Sequence, residues 1–214
     1  MKTKLFGSVN SAIKILIFGN VAINMSDGFL SPIFAVFITQ KIAPGDVSVV
    51  GFAIAIYWFA KSVIQLPMAR FLDRTDGERD DYWMMIAGGI LFVISPLFYI
   101  VIDSVWQLYL LQIYVALAGA LYVVPWASIF TRHVDKFRIG FEWSLNSSAL
   151  GFGLMTATAL GGYLSKEFGY NLVFILASLA YLVAFITMLF LKRYITQRNH
   201  LEKAFPEQHH RSRK

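Results

Sequence analysis

Six long apolar stretches, separated by short polar loops, constrain this chain more than any other feature of its sequence. They cover residues 12–38, 47–69, 82–102, 106–131, 141–164 and 171–191. About 20 apolar residues in a helix cross the hydrocarbon core of a bilayer, and lipid requires every backbone polar group to be bonded internally. The stretches lack the alternation of barrel strands. The sequence therefore predicts an all-α membrane protein with six transmembrane helices.

The charged residues are few and lie mostly between these stretches. They make up 15% of the 214 residues, against about 25% in soluble domains. The net charge of +6 is concentrated in loops and the C-terminal segment, so it indicates membrane topology rather than nucleic-acid binding. The expected surrounding is a lipid bilayer, with no nucleic-acid partner. The chain has no cysteine, which excludes disulfides and thiolate metal sites.

Lysine and arginine residues fall almost entirely on one side of the predicted helices. Sixteen of the 19 lie on that side, Lys41 and Lys166 lie on the other, and Lys61 lies within a helix. The positive-inside rule then places both termini in the cytoplasm, in a multi-pass protein of the cell (inner or plasma) membrane. Residues 1–194 are predicted to form one transmembrane domain. Residues 195–214 are polar, basic and interrupted by Pro206, and are expected to form a mobile cytoplasmic tail.

Polar side chains recur at helical spacing inside the apolar stretches. The first stretch carries them at intervals of four, three and four residues, which places them on one helical face, and the second carries them at intervals of four. A carboxylate within a membrane helix costs at least ~2.5 kcal/mol, so it is expected to face a cavity or a partner. Ser31 continues the first face. The predicted substrate or cavity residues are Asn20, Asn24, Asp27, Tyr57, Lys61, Gln65, Gln112 and Asn146.

Asp27 and Lys61 carry opposite charges at depths that a lysine side chain can bridge. We therefore predict an ion pair between them. The pair would either neutralise two charges for structural reasons or line a substrate or ion site, and the sequence leaves both interpretations open. One acid, one base, amides and aromatic residues together favour a polar or zwitterionic solute.

Two sequence motifs resemble those of the major facilitator superfamily. The loop from Ala69 to Arg79 resembles its signature G-x-x-x-D-[RK]-x-G-[RK]-[RK], with Ala69 in place of the first glycine and one extra residue before Gly77. The segment from Gly153 to Gly162 resembles g-x-x-x-G-P-x-x-G-G, with Ala-Thr in place of Gly-Pro. Their order and spacing are similar to the N-terminal six-helix half of that family.

The resemblance implies a cytoplasmic gate at the loop between the second and third helices. Asp73 would lock this gate through a nearby arginine, and Arg132 is the expected partner. The alternative is that these are solvated loop charges. The predicted gate residues are Asp73, Arg74, Gly77, Arg79 and Arg132.

Small residues recur at every fourth position of the fifth helix and therefore share one face, which lets another helix approach closely. This face could pack within the six-helix unit or form the seam to a second unit, and the resemblance favours the seam. The predicted inter-unit packing residues are Ala149, Gly153, Ala157 and Gly161.

The resemblance implies a transporter for a small-molecule solute. Members of the family usually consist of two six-helix halves, so we expect this chain to act as a homodimer by alternating access. It could instead be an N-terminal fragment that needs a different six-helix partner, or a non-transporting assembly or regulatory subunit. Val115 occupies the arginine position of the R-x-x-x-G motif that ends at Gly119, which excludes coupling through that arginine. Hydrolase and metalloprotease motifs are missing, so we expect neither an enzyme nor a metal or other cofactor.

Overall fold

A computed structural model describes residues 9–74 and 78–204. The described residues form helices and loops, without a strand. The helices are α1 (Ser11–Phe37), which a π-helical turn (Ile38–Ile42) continues, α2 (Val47–Asp73), α3 (Arg79–Val101), α4 (Val105–His133), α5 (Ile139–Phe168) and α6 (Tyr170–Ala204).

Most helices extend beyond the apolar stretches, because helical hydrogen bonding continues into polar residues at the ends of a span. The largest difference is in α6, which runs to Ala204. Residues 195–204 are therefore helical, whereas the sequence predicts a mobile tail from residue 195. This segment is rich in good helix formers such as Arg, Leu, Glu, Lys and Ala. The remaining predicted tail, residues 205–214, lies outside the described residues.

Five of the helices are long and apolar enough to cross a membrane: α1 with its π-helical turn, α2, α3, α4 and the part of α6 up to Ile195. The helix that falls short is α5. It has 30 residues, which is sufficient length, but glycine, serine, threonine and asparagine recur along it. The chain is thus a multi-pass membrane protein by the composition of its helices.

The helices pack side by side in an arc, in the order α5, α1, α6, α3, α4, α2. Both outer helices bury few residues: α2 buries four of its 27 and α5 buries five of its 30. The two ends of the arc are α5 and α2, so its open side lies between α2 and the pair of α1 and α5. We call the end of the bundle where α1 and α5 begin and α4 ends the basic end, because Lys14, Arg132 and Arg138 lie there.

Close contact between α1 and α5 depends on small residues of both helices. A Cβ atom on Gly161 would lie 2.7 Å from the carbonyl oxygen of Phe29, and one on Gly28 would lie 2.9 Å from the Cβ of Ala157. Gly153 likewise faces Val21 of α1. The backbones can approach this closely only without larger side chains.

The prediction of an inter-unit seam at this face is therefore wrong. The small residues at 153, 157 and 161 are buried against α1 inside the six-helix unit, and Ala149 packs on the core of the same unit. Spacing alone identified the face correctly but could not tell which helix would cover it.

Candidate functional site

A cavity of about 600 Å³ opens between α1, α2 and α4, with one residue contributed by α3. Its size is within the range of small-molecule sites. The polar face of α1 forms one wall. The opposite wall consists of one charged, two aromatic and one aliphatic residue of α2, beside mostly apolar residues of α4. The residues that line it are Asn20, Ile23, Asn24, Asp27, Ser31, Phe34, Ile54, Tyr57, Trp58, Lys61, Phe92, Gln112, Val115, Tyr122 and Val123.

Asp27 is the acid of this cavity. It lies in the middle of α1 and is exposed to the open space. The hydroxyl of Tyr181, on the neighbouring α6, donates a hydrogen bond of 2.7 Å to the Oδ1 atom of Asp27. Tyr181 is itself buried and stacks on Phe92 of α3 at a centroid distance of 4.8 Å. Three helices therefore hold the carboxylate in position.

Lys61 is the base of the cavity and approaches from the opposite wall. Its Nζ atom donates to the hydroxyl of Tyr57 at 3.2 Å and lies 5.0 Å from the ring centroid of Trp58, within range of a cation–π interaction. The side chain of Lys61 lies beside Gly119 of α4, where a Cβ would be 3.7 Å from the Cε of Lys61, an ordinary van der Waals contact. The positive charge of α2 thus lies against α4.

The predicted ion pair between Asp27 and Lys61 is not formed. Both residues line the same cavity, but the ion pairs among the described residues do not include this one. Each charged group is bonded by its own tyrosine instead. The two residues do share a cavity, as their similar depths suggested. Depth says nothing about the lateral separation of α1 and α2, and this separation prevents direct contact.

The predicted amide residues differ in how they relate to the cavity. Asn20 and Asn24 line it, and the Nδ2 atom of Asn24 donates to the carbonyl oxygen of Asn20 at 2.8 Å. Asn146 of α5 lies behind this wall, where its Oδ1 accepts from Asn20 at 3.3 Å. Gln112 lines the cavity while donating to Tyr99 at 2.8 Å. Gln65 is not among the lining residues, since the stripe on α2 continues past the cavity towards the basic end.

Apart from Tyr57, the individual aromatic residues of the cavity were not identified from the sequence. Trp58, Phe34, Phe92 and Tyr122 line it, and Tyr181 orients the acid. Tyr122 is 1% exposed and its hydroxyl has no hydrogen-bond partner in the described structure. The sequence does not distinguish these residues from the many aromatic residues that face outwards, because both groups have the same polarity and recur at the same helical spacing.

The predicted gate pair of Asp73 and Arg132 is also not formed. Asp73 ends α2 with its side chain exposed, whereas Arg132 of α4 makes an ion pair with Asp81, in the first turn of α3. A carboxylate is favoured in the first turn of a helix by the helix dipole, and this signal points to Asp80 and Asp81 without telling which one is buried. Arg74 and Arg79 are exposed at the same loop. Gly77 lies outside the described residues.

A buried charged cluster surrounds this pair at the basic end. Asp81 is 1% exposed and also accepts a hydrogen bond from Ser128 at 3.4 Å. Glu78 lies 3.5 Å from the Nδ1 atom of His133. Glu142 of α5 accepts a bond of 3.2 Å from the backbone amide of Asp135 in the loop before α5. The cluster connects α3 and α4, and Glu142 ties the start of α5 to the loop that follows α4.

The fold and these motifs agree with a known family. The family model described as Major Facilitator Superfamily matches residues 16–213. The chain belongs to the major facilitator superfamily. A comparison with curated proteins gives no match.

A solved structure supports the fold of this superfamily member. The crystal structure of PepTSo, a transporter of the POT family, superposes with a TM-score of 0.67 at 17% sequence identity. The match covers 88% of this chain but 38% of that chain. The present chain therefore spans well under half the length of PepTSo, and the likeness concerns the fold alone.

Proposed function

We propose that the chain is half of a transporter of the major facilitator type, which carries a small polar solute as a homodimer by alternating access. The observation that carries this proposal is the cavity that exposes Asp27 and Lys61 between apolar helices. Charged groups at membrane depth are costly and usually mark a substrate or ion pathway. Membership in the superfamily supports the same function.

All six helices are proposed to cross the membrane, with the basic end in the cytoplasm. α5 has 30 residues and lies parallel to α1, as the contacts from Asn20–Asn146 to Phe29–Gly161 indicate. About 20 residues suffice for a span, and its polar residues would meet a cavity or a partner rather than lipid. The excess of lysine and arginine at the basic end supports a cytoplasmic position for this end and for both termini, in the cell membrane.

The open side of the arc is where a second copy would bind. Two copies inserted in the same direction can be related by a two-fold axis along the membrane normal. The sparsely buried helices α2 and α5 flank the cavity, so α2 of one copy would face α5 of the other. The two cavities would then join on the axis. Exposed Asp73, Arg74 and Arg79 would contact the second copy when the basic end closes.

The homodimer is tested by mass and by crosslinking in detergent. Native mass spectrometry should give twice the 24.2 kDa of one chain. Because the chain has no cysteine, the double variant Ile54→Cys/Gly151→Cys, with one thiol on α2 and one on α5, should give crosslinked dimers. Pairing Ile54→Cys with Phe190→Cys on the outward face of α6 is the control and should not. A strict monomer would favour a fragment that needs another six-helix partner.

Transport is tested by flux into liposomes, with labelled amino acids, sugars and nucleosides as the first panel. Asp27→Asn and Lys61→Gln should each lower the flux of the transported solute at least tenfold. The exposed residues Asp103 and Lys166 give matched controls, since Asp103→Asn and Lys166→Gln should leave flux unchanged. Flux that survives both cavity variants would refute the assignment of the site. A dimer without flux of any solute would favour a non-transporting subunit.

A further inference from the structure

The two charges of the cavity are available to a ligand in a way that a neutralised pair would not be. Asp27 belongs to α1 and Lys61 to α2, two helices on opposite sides of the opening. Among the described residues that line the cavity, Asp27 is the acid and Lys61 is the base. Neither forms an ion pair with the other.

Each charge is held in place by a neutral donor or acceptor that leaves bonding capacity for a solute. A carboxylate accepts several hydrogen bonds and an ammonium group donates three. Tyr181 supplies one bond to Asp27, and Tyr57 accepts one from Lys61. The tyrosines therefore orient both groups without cancelling their charges.

The energetics then favour a solute that carries both signs of charge. A singly charged solute would pair with one group and enclose the other without an opposite charge, which is costly where water is excluded. A solute with one cationic and one anionic group satisfies both charged groups of one copy. The same cavity also presents the apolar surfaces of Phe34, Trp58 and Phe92, which suit a short hydrocarbon linker.

We propose that the cavity selects zwitterionic solutes, with Asp27 receiving the cationic group and Lys61 the anionic group. This inference rests on the proposed function, because it assigns the substrate class of the same cavity. The separation of the two side chains sets the preferred distance between the charged groups of the solute. Binding can be measured without transport, so the two proposals can fail separately.

The experiment measures binding to the purified full chain in detergent by isothermal titration calorimetry. The probes are matched sets of three: 4-aminobutanoate, butanoate and butylamine, and the corresponding six-carbon compounds. In at least one set the amino acid should bind ten times more tightly than either singly charged analogue. Equal binding of all three compounds, or no binding of either amino acid, would overturn the proposal.

Substitutions assign each charge to its half of the solute. Asp27→Asn should remove the preference for the amino acid over the carboxylic acid and keep the preference over the amine. Lys61→Gln should do the reverse. Asp103→Asn and Lys166→Gln should behave as wild type, and the charge-conserving Asp27→Glu and Lys61→Arg should retain both preferences. If Asp27→Asn does not fold, the binding preferences of Lys61→Gln, compared with those of Lys61→Arg, test the proposal. Loss of both preferences in one variant would contradict separate roles.

Flux measurements separate this inference from the proposed function. Transport of an uncharged solute, with no preference for amino acids in binding, would reject the zwitterion site and leave the transporter. Selective binding of an amino acid without flux would keep the site and reject transport by this chain.

Discussion

Two sets of opposite charges lie within this helical bundle, and they are arranged in contrasting ways. At the basic end, Asp81 is buried and pairs directly with Arg132. In the cavity, Asp27 and Lys61 lie on opposite walls and each bonds a tyrosine. The Asp81–Arg132 pair links α3 to α4. Asp27 and Lys61 form no ion pair that would link α1 to α2 across the cavity.

The difference indicates separate roles for charge in the same fold. A buried pair that loses one partner leaves an uncompensated charge, so such a pair is sensitive to substitution. Charges that face an open cavity keep access to water, so neutralising one of them changes the free energy of unfolding only a little. We therefore expect the basic-end pair to affect stability and the cavity charges to affect binding.

Removal of Arg132 should have the largest effect on stability. Arg132→Met leaves the carboxylate of Asp81 buried without its cation and should lower the free energy of unfolding by about 3 kcal/mol. Titration with sodium dodecyl sulfate from a mild detergent measures this. The double variant Arg132→Met/Asp81→Asn should recover much of the loss, and Asp80→Asn, at an exposed neighbour, is the control. If Arg132→Met and the double variant had equal stability, the basic-end pair would not differ from the cavity charges in its effect on stability.

The contact between α1 and α5 provides the next largest effect. Gly161→Ala forces a methyl group against the backbone of Phe29 and should cost about 1–3 kcal/mol by overpacking. Gly151→Ala is the matched control on the same helix, because its Cβ would meet nothing within 4 Å. It should gain about 0.5–1 kcal/mol from helix propensity. If Gly161→Ala also weakens amino-acid binding, the position of Asp27 depends on this packing.

Loss of the Tyr181 hydroxyl should have a smaller effect. Tyr181→Phe removes one hydrogen bond to Asp27 and should cost about 1 kcal/mol, with binding of the amino acid a few times weaker. The hydroxyl of Tyr99, which bonds Gln112, gives the control, because Tyr99→Phe should cost similar stability without a change in the preference over butanoate. Unchanged binding in Tyr181→Phe would show that this tyrosine does not orient the acid.

Neutralising the cavity charges should change stability least. Asp27→Asn and Lys61→Met should each alter the free energy of unfolding by less than about 1 kcal/mol, because charges that face an open cavity without an ion pair contribute little. The same detergent titration applies, beside Asp103→Asn as a reference. A loss as large as that of Arg132→Met would mean that the cavity charges stabilise the fold, and the comparison between the two regions would fail.

Much of the secondary structure could be predicted from the sequence, because the bilayer allows few solutions. The starts of the helices fall within three residues of the predicted stretches, from Ser11 in α1 to Tyr170 in α6. The ends are less accurate, as the extension of α6 to Ala204 shows, since hydropathy reports the apolar part of a helix and not its hydrogen bonding. The face that carries Asn20, Asn24, Asp27 and Ser31 was predicted from spacing, and the structure places all four on the cavity.

The partners of individual side chains could not be predicted in the same way. Asp27 bonds Tyr181, which is 154 residues away in the sequence, and Arg132 bonds Asp81 rather than Asp73. The small face of α5 packs on α1 rather than on a second unit. In each case the sequence indicated that a residue needed a partner, and the rotation and order of the helices decided which one.

By itself the sequence determined that this chain forms membrane helices, where they begin, and which of their faces are polar. These properties follow from the periodicity of a single helix and from the cost of polar groups in lipid. The tertiary structure alone decided that one pair of opposite charges touches and the other is held apart across a cavity. That distinction depends on lateral distances between helices, which close packing of residues distant in sequence sets.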